Sequence, residues 1–305
     1  MLEIGVTMGD PAGIGPEVIL KALAQIGQTG IRVIGARSVF EQGQRRLGTK
    51  VDLSIVDDSV PAPARFALGR VQRGCGQAAF RALEVGVALL RTGALSALVT
   101  APVSKEALRW AGFKWPGQTE FLAERLGAQR YAMLAWTPRF KVVFVTIHLP
   151  LARVSRMITA AAVAERTRLL AEFLRREGKQ KPRIGVMAFN PHATEFSLGE
   201  ETRIAEGVRR ARRAGIQVAG PLPADSVAAR LNEFDGFVAM YHDQAMIPAK
   251  LLAQGAGVNV TLGLGRIRTA PLHGVAFDIA GTGRASPDSM IAAVRLARRL
   301  GRRPG

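Results

Sequence analysis

The sequence predicts an α/β protein, three-layer α/β/α, built on a mainly parallel sheet, and three observations lead there. Short runs rich in β-branched and apolar residues alternate along the chain with longer stretches whose apolar residues recur at helical spacing. Glycine-rich turns punctuate the alternation, as they do between strands and crossover helices. The 305 residues are 48% hydrophobic, enough for one large domain or two of roughly 150 residues with sizeable cores.

Taken in order, the strand candidates are 2–7, 31–34, 97–99, 131–135, 142–147, 184–189, 236–240 and 258–262, each a run too short and too β-branched for a helix. Helical periodicity covers 16–26, 78–91, 151–176 and 286–300. Pro16 suits a first helical turn, and Ser286-Pro287-Asp288 reads as the cap of the last helix. No repeat or low-complexity linker appears, so a domain boundary has to be a crossover of the chain.

The net charge of +18 raises the question of nucleic acid. Its distribution argues against that partner. Arg175, Arg176, Lys179, Lys181, the run 209–213, and Arg298, Arg299, Arg302 and Arg303 sit on solvated faces and helix C-termini, and no basic run is interleaved with aromatics. A positive field instead concentrates small anions. The first residues lack the basic and apolar regions of a signal peptide, and no apolar run approaches ~18 residues, so no membrane partner and a cytoplasmic location are expected. Cys75 is the single cysteine, so there is no intramolecular disulfide, and any metal is left to His, Asp or Glu.

All four histidines fall at or just past the ends of strand-like runs: His148, His192, His242 and His273. In open α/β sheets ligands bind beyond the carboxyl ends of strands, which makes an enzyme the leading reading. A lone histidine there is ordinarily a satisfied turn residue; four of four are harder to explain so. The turn Gly9-Asp10-Pro11-Ala12-Gly13-Ile14-Gly15-Pro16-Glu17 can offer backbone N–H groups to an anion. It is not a dinucleotide fingerprint, because Val18 stands at the third glycine, and Gly281-Thr282-Gly283 fails the same test at Ser286.

Several blocks, in order and over nearly the whole chain, resemble the 4-hydroxythreonine-4-phosphate dehydrogenase family of pyridoxal phosphate biosynthesis. They are the 8–17 turn, Thr100-Ala101-Pro102-Val103-Ser104-Lys105, Thr146-Ile147-His148-Leu149-Pro150-Leu151, Asn190-Pro191-His192-Ala193, Gly220-Pro221-Leu222-Pro223-Ala224-Asp225, Tyr241-His242-Asp243-Gln244, and Asn259-Val260-Thr261-Leu262-Gly263-Leu264. The resemblance implies an isocitrate/isopropylmalate dehydrogenase-like fold with the active site in a cleft between two domains. The expected boundaries are 1–115 plus 262–305 for the cofactor side and 116–261 for the metal and dimer side.

It also implies one divalent metal (Zn, Co or Mg) on His148, His192 and His242, completed across a homodimer by one histidine of the neighbouring subunit. Asp225 and Asp243 would orient imidazoles or relay a proton. The substrate, a phosphorylated hydroxy-amino acid, would meet Gln118, Thr119, Lys250, Asn259 and Arg268, of which the last three stand at nine-residue intervals. Lys250 is also a candidate base. The run from His273 to Gly283 resembles the adenosine loop of isocitrate and isopropylmalate dehydrogenases, which implies NAD or NADP near His273, Asp278 and Gly281 without a Rossmann fingerprint.

The implied reaction is oxidation of the C3 alcohol of 4-phosphohydroxy-L-threonine followed by decarboxylation. Two departures bear on the substrate. Gln118 stands where the family has histidine, and a glutamine cannot carry a proton or charge. The glycine-rich tail expected after Asn-Pro-His-Ala is replaced by Thr194-Glu195-Phe196-Ser197-Leu198-Gly199-Glu200-Glu201. A sister branch acts on other substrates, among them phosphorylated four-carbon sugar acids.

Overall fold

A computed structural model describes residues 3–301. Leu2, expected to open the first strand, and Arg302 and Arg303 lie outside the described residues. Up to Gln129 the chain forms β1 (Glu3–Thr7), α1 (Gly15–Ile26), β2 (Ile31–Ile34), α2 (Arg37–Leu47), β3 (Val56–Asp57), α3 (Arg73–Thr92), β4 (Leu95–Thr100), α4 (Lys105–Trp110) and α5 (Gln118–Arg125). There follow β5 (Ala132–Trp136), β6 (Lys141–Phe144), α6 (Leu151–Met157), α7 (Ala160–Arg176), β7 (Arg183–Met187), α8 (Glu200–Arg213), β8 (Gln217–Leu222), β9 (Gly236–Ala239), α9 (His242–Ala253) and β10 (Val258–Leu262). Finally come β11 (Ile267–Pro271) and α10 (Asp288–Gly301).

The chain divides into two compact units, Arg130–Gly263 and the remainder on either side of it. In the flanking unit the strands run in the order β3-β2-β1-β4-β11, all parallel. Its strands are buried on both faces: Ile4, Val6, Val33, Leu98 and Val99 are all within the core, which is why they read as continuous apolar runs rather than alternating ones. The Arg130–Gly263 unit has the order β10-β5-β6-β9-β7-β8. Here β5 is antiparallel to both neighbours, while β6, β9, β7 and β8 are mutually parallel.

Helices flank the strands as the alternation predicts. The stretch 151–176 is two helices rather than one. Ile158 is extended, and the Thr159 hydroxyl accepts from the Ala162 N–H, so a β-branched pair ends α6 and caps α7. Among the described residues no helix is long and apolar enough to cross a membrane.

Candidate functional site

Because β6, β9 and β7 are parallel neighbours, their carboxyl ends share one edge, and that edge carries three of the histidines. His148 lies four residues past β6, His192 five past β7, and His242 is the first residue of α9. His148 and His192 both adopt left-handed backbone, with φ of 49° and 53°, a region non-glycine residues seldom occupy. Such conformations persist where surrounding bonds impose them.

Those bonds can be named. The Thr146 hydroxyl donates to the Met240 carbonyl (2.7 Å), tying the chain before His148 to the end of β9. Gln244 clasps the same edge from α9: its Oε1 accepts from Met240 N (2.7 Å) and its Nε2 donates to the Ala188 carbonyl (2.7 Å). Two buried carboxylates hold the turn that carries His192. Glu201 accepts from the backbone N–H groups of Phe189 and Asn190 and from the Asn190 amide, and Glu200 accepts from Leu198 N, Asn190 Nδ2 and the Ser155 hydroxyl. Burial pushes the Glu201 carboxyl up, but hydrogen bonds involving Ser197 and Asn190 outweigh it and hold it below its ordinary value. The segment that replaces the expected glycine-rich tail thus buttresses the turn with acceptors. Glu200, Glu201 and Gln244 had no signal beyond their place beside the histidine blocks.

The His148 and His242 rings lie 5.7 Å apart between centroids. Nδ1–H of His242 donates to Asp243 Oδ1 (2.7 Å), and its ring stacks on Phe144 at 5.9 Å. That bond leaves Nε2 as the ring nitrogen that could bind a metal. The ring neighbour of His192 is Phe196, at 6.0 Å. Among the described residues no group of three or more His, Cys, Asp or Glu could hold a metal ion within this chain. Asp225 is exposed in a short 3₁₀ turn and accepts from Ser226 N, not from a histidine. Lys250 is exposed on α9, and Asn259 on β10 keeps a buried Oδ1 with no hydrogen-bond partner.

In the flanking unit, Arg268 on β11 is buried to 2% exposure. It donates to the Thr100 hydroxyl at the end of β4 (2.6 Å from Nη2) and to Gln118 Oε1 (3.1 Å), both neutral acceptors. Burial draws its pKa down to about 10, against the charge of Glu120, so it remains a cation at neutral pH. Gln118 opens α5 with Thr119 beside it, and its Nε2 donates to the Ala101 carbonyl (3.3 Å). The structure therefore joins Gln118 to Arg268, two of the five expected substrate residues. His273 follows β11; its Nδ1 lies 3.1 Å from the Gly274 carbonyl, its Nε2 is buried without a partner, and burial lowers its pKa. Asp278 is exposed in a 3₁₀ turn, and Gly281 has φ of +72°.

The geometry has parallels among known proteins. Residues 8–297 match the family described as pyridoxal phosphate biosynthetic protein PdxA. The chain is 42% identical to 4-hydroxythreonine-4-phosphate dehydrogenase of Beijerinckia indica, over 97% of this chain and 94% of that protein. It is 40% identical to D-threonate 4-phosphate dehydrogenase of Salmonella typhimurium, over 97% of this chain and 98% of the relative. A crystal structure of 4-hydroxythreonine-4-phosphate dehydrogenase from Klebsiella pneumoniae superposes with a TM-score of 0.88 at 37% identity, covering 99% of this chain and 100% of that one. With a match running from the first glycine turn into the last helix, the chain belongs to the PdxA family and is an oxidoreductase of the dehydrogenase type.

Proposed function

We propose that the protein oxidises the C3 hydroxyl of 4-phosphohydroxy-L-threonine with a nicotinamide cofactor and a divalent metal, and that the product loses its carboxylate as CO₂ to give 3-amino-2-oxopropyl phosphate. The observation that carries this reading is Arg268, a buried guanidinium placed beside Gln118 and Thr100, whose planar fork matches the geometry of a phosphate. Lys250 and Asn259 add a second cation and a directional amide. Either Lys250 or a water held by Asp243 or Asp225 takes the hydroxyl proton. His273, Asp278 and Gly281 would hold the adenosine end of NAD or NADP.

The donor set suits a metal, since imidazoles bind Zn²⁺ and Co²⁺ well and three protein ligands leave positions open. When bound, the cation supplies Lewis acidity at the reacting oxygen and the nicotinamide accepts the hydride from C3. His148 and His242 stand close enough to serve one ion, whereas His192 lies apart with Phe196. This favours a homodimer in which His148 and His242 of one protomer are completed by His192 of the partner subunit. Exposed Leu149, Leu151, Met157, Phe196 and Leu198, the last 91% exposed, flank these histidines and supply an apolar face for a second copy.

A second reading is favoured by Gln118 and by the 40% identity to D-threonate 4-phosphate dehydrogenase: the substrate would be a phosphorylated four-carbon sugar acid. NADH absorbance with purified protein, divalent metal and each phosphorylated acid separates the two. Turnover of the amino acid supports the first; turnover of the sugar acid alone, shifted towards the amino acid by Gln118→His, replaces it with the second.

A further inference from the structure

The Arg130–Gly263 unit has a second edge, at the amino ends of its strands, that the proposed chemistry does not use. Short turns lead from α7 into β7 and from α8 into β8, and the two strands are parallel neighbours. The basic last turns of both helices therefore meet at this edge: Arg175 and Arg176 from α7, and Arg210, Arg212 and Arg213 from α8. Arg183 opens β7 here. The length of that strand, roughly 17 Å for five residues, separates it from the turn that carries His192.

Carboxylates answer several of these cations. Glu206 pairs with Arg209 (2.9 Å) and Arg210 (3.0 Å), Asp235 with Lys179 (2.8 Å), and Glu233 with Arg230 (2.7 Å). Among the described residues, Arg183 and Arg212 form no ion pair.

These two guanidinium groups border one groove of about 410 Å³, within the ~300–1,000 Å³ of small-molecule sites. Ile216, Val218 and Phe234 supply its apolar lining. Arg183 and Arg230 both lie over the Phe234 ring, 5.8 and 5.3 Å from its centre, so the ring helps to place them. Arg212 Nε donates to the Val218 carbonyl (2.9 Å), which leaves the two terminal nitrogens of its fork for another acceptor. Gln217 is the cross-strand partner of Arg183 and adds an amide. Glu233 also lines the groove, but its carboxylate is bound by Arg230, and Arg183 reaches it through its field alone.

We propose that this groove is a second anion site, taking a small organic molecule with two acidic groups, phosphate or carboxylate, that accept from Arg183 and Arg212 while its carbon chain lies against Ile216 and Phe234. Two forks without a carboxylate call for two acidic groups, and the apolar lining calls for carbon between them. A nucleic-acid backbone fits less well, because Glu206, Glu233 and Asp235 interrupt the cations it would follow. The inference stands apart from the dehydrogenase reading, whose residues lie elsewhere.

Phosphonoacetate suits the test, since it carries a phosphonate and a carboxylate and has no hydroxyl to oxidise. Calorimetric titration of the metal-loaded protein should show a binding event that Arg183→Ala and Arg212→Ala each weaken by about tenfold or more and that Arg268→Ala leaves in place. Arg183→Lys should not restore it, because an ammonium keeps the charge and lacks the fork. Arg209→Ala, exposed at the same end and paired with Glu206, should change nothing, and acetate should bind at least about tenfold more weakly than phosphonoacetate. Without the probe, Arg183→Ala should turn over the phosphorylated substrate as the wild type does. An event that only Arg268→Ala removes assigns the anion to the substrate pocket, and equal weakening by Arg209→Ala assigns it to a diffuse field. Either result overturns the inference, as does full binding by Arg183→Ala or Arg183→Lys, or no binding event at all.

Discussion

Arg268 is a buried guanidinium at the end of the flanking sheet, in bonds with Thr100 and Gln118. The Thr100 hydroxyl and the Gln118 amide oxygen help to orient its planar fork, the geometry asked of a residue proposed to bind the substrate phosphate. Arg268→Ala should lower kcat/KM for the phosphorylated substrate by about 10², corresponding to a charge-assisted contact of ~2–3 kcal/mol, with cofactor affinity unchanged. The exposed Arg139→Ala should do almost nothing. If steady-state kinetics find the two variants alike, the substrate is not held there by its phosphate.

Asp10 carries a different consequence. Burial raises its pKa to about 6, against the backbone N–H groups of Ala12 and Ser104, and its Oδ2 has no partner. A carboxyl whose folded pKa lies above the unfolded value of 3.8 favours the folded state when protonated. That stabilisation is complete below the unfolded value and is lost as pH rises through about 6, a change of roughly 3 kcal/mol. Asp10→Asn should therefore raise the melting temperature more near pH 7 than near pH 4. A uniform shift across that range would contradict the assignment.

At the scale of elements, the sequence disclosed those whose burial makes them periodic and missed those held by position. The runs at β1, β4, β6 and β9 were legible because both faces are buried. The polar α8, which buries a narrow stripe around Ile204, Val208 and Ala211, was legible only as the helical stretch carrying the basic run 209–213, and α9 contains Pro248 and carried no strong helical signal. The three histidines were found by their positions past strands, but only the resemblance joined them as ligands. The buttress of Glu200 and Glu201 was invisible, since its meaning lies in which backbone donors it meets. Glu201→Ala should strand the Phe189 and Asn190 N–H groups, lower stability by about 3 kcal/mol in urea unfolding, and weaken metal binding. Glu195→Ala, exposed on the same segment, should leave both unchanged.

At the scale of the whole molecule, the proposed metal site is divided between two copies of the chain. Within one chain His148 and His242 are neighbours and His192 is not, and no group of three metal-binding side chains forms among the described residues. The apolar residues beside them are unusually exposed for an isolated protomer, with Leu151 63% and Phe196 60% exposed. The direct test is complementation between inactive variants, each purified as His148→Ala, His192→Ala or His242→Ala and then mixed under conditions that exchange subunits. Pairing His148→Ala with His192→Ala should restore roughly a quarter of wild-type turnover and metal content, because half of the dimers are mixed and each holds one intact site. Pairing His148→Ala with His242→Ala should restore none. Recovery in the second mixture, or none in the first despite demonstrated subunit exchange, would contradict the shared site.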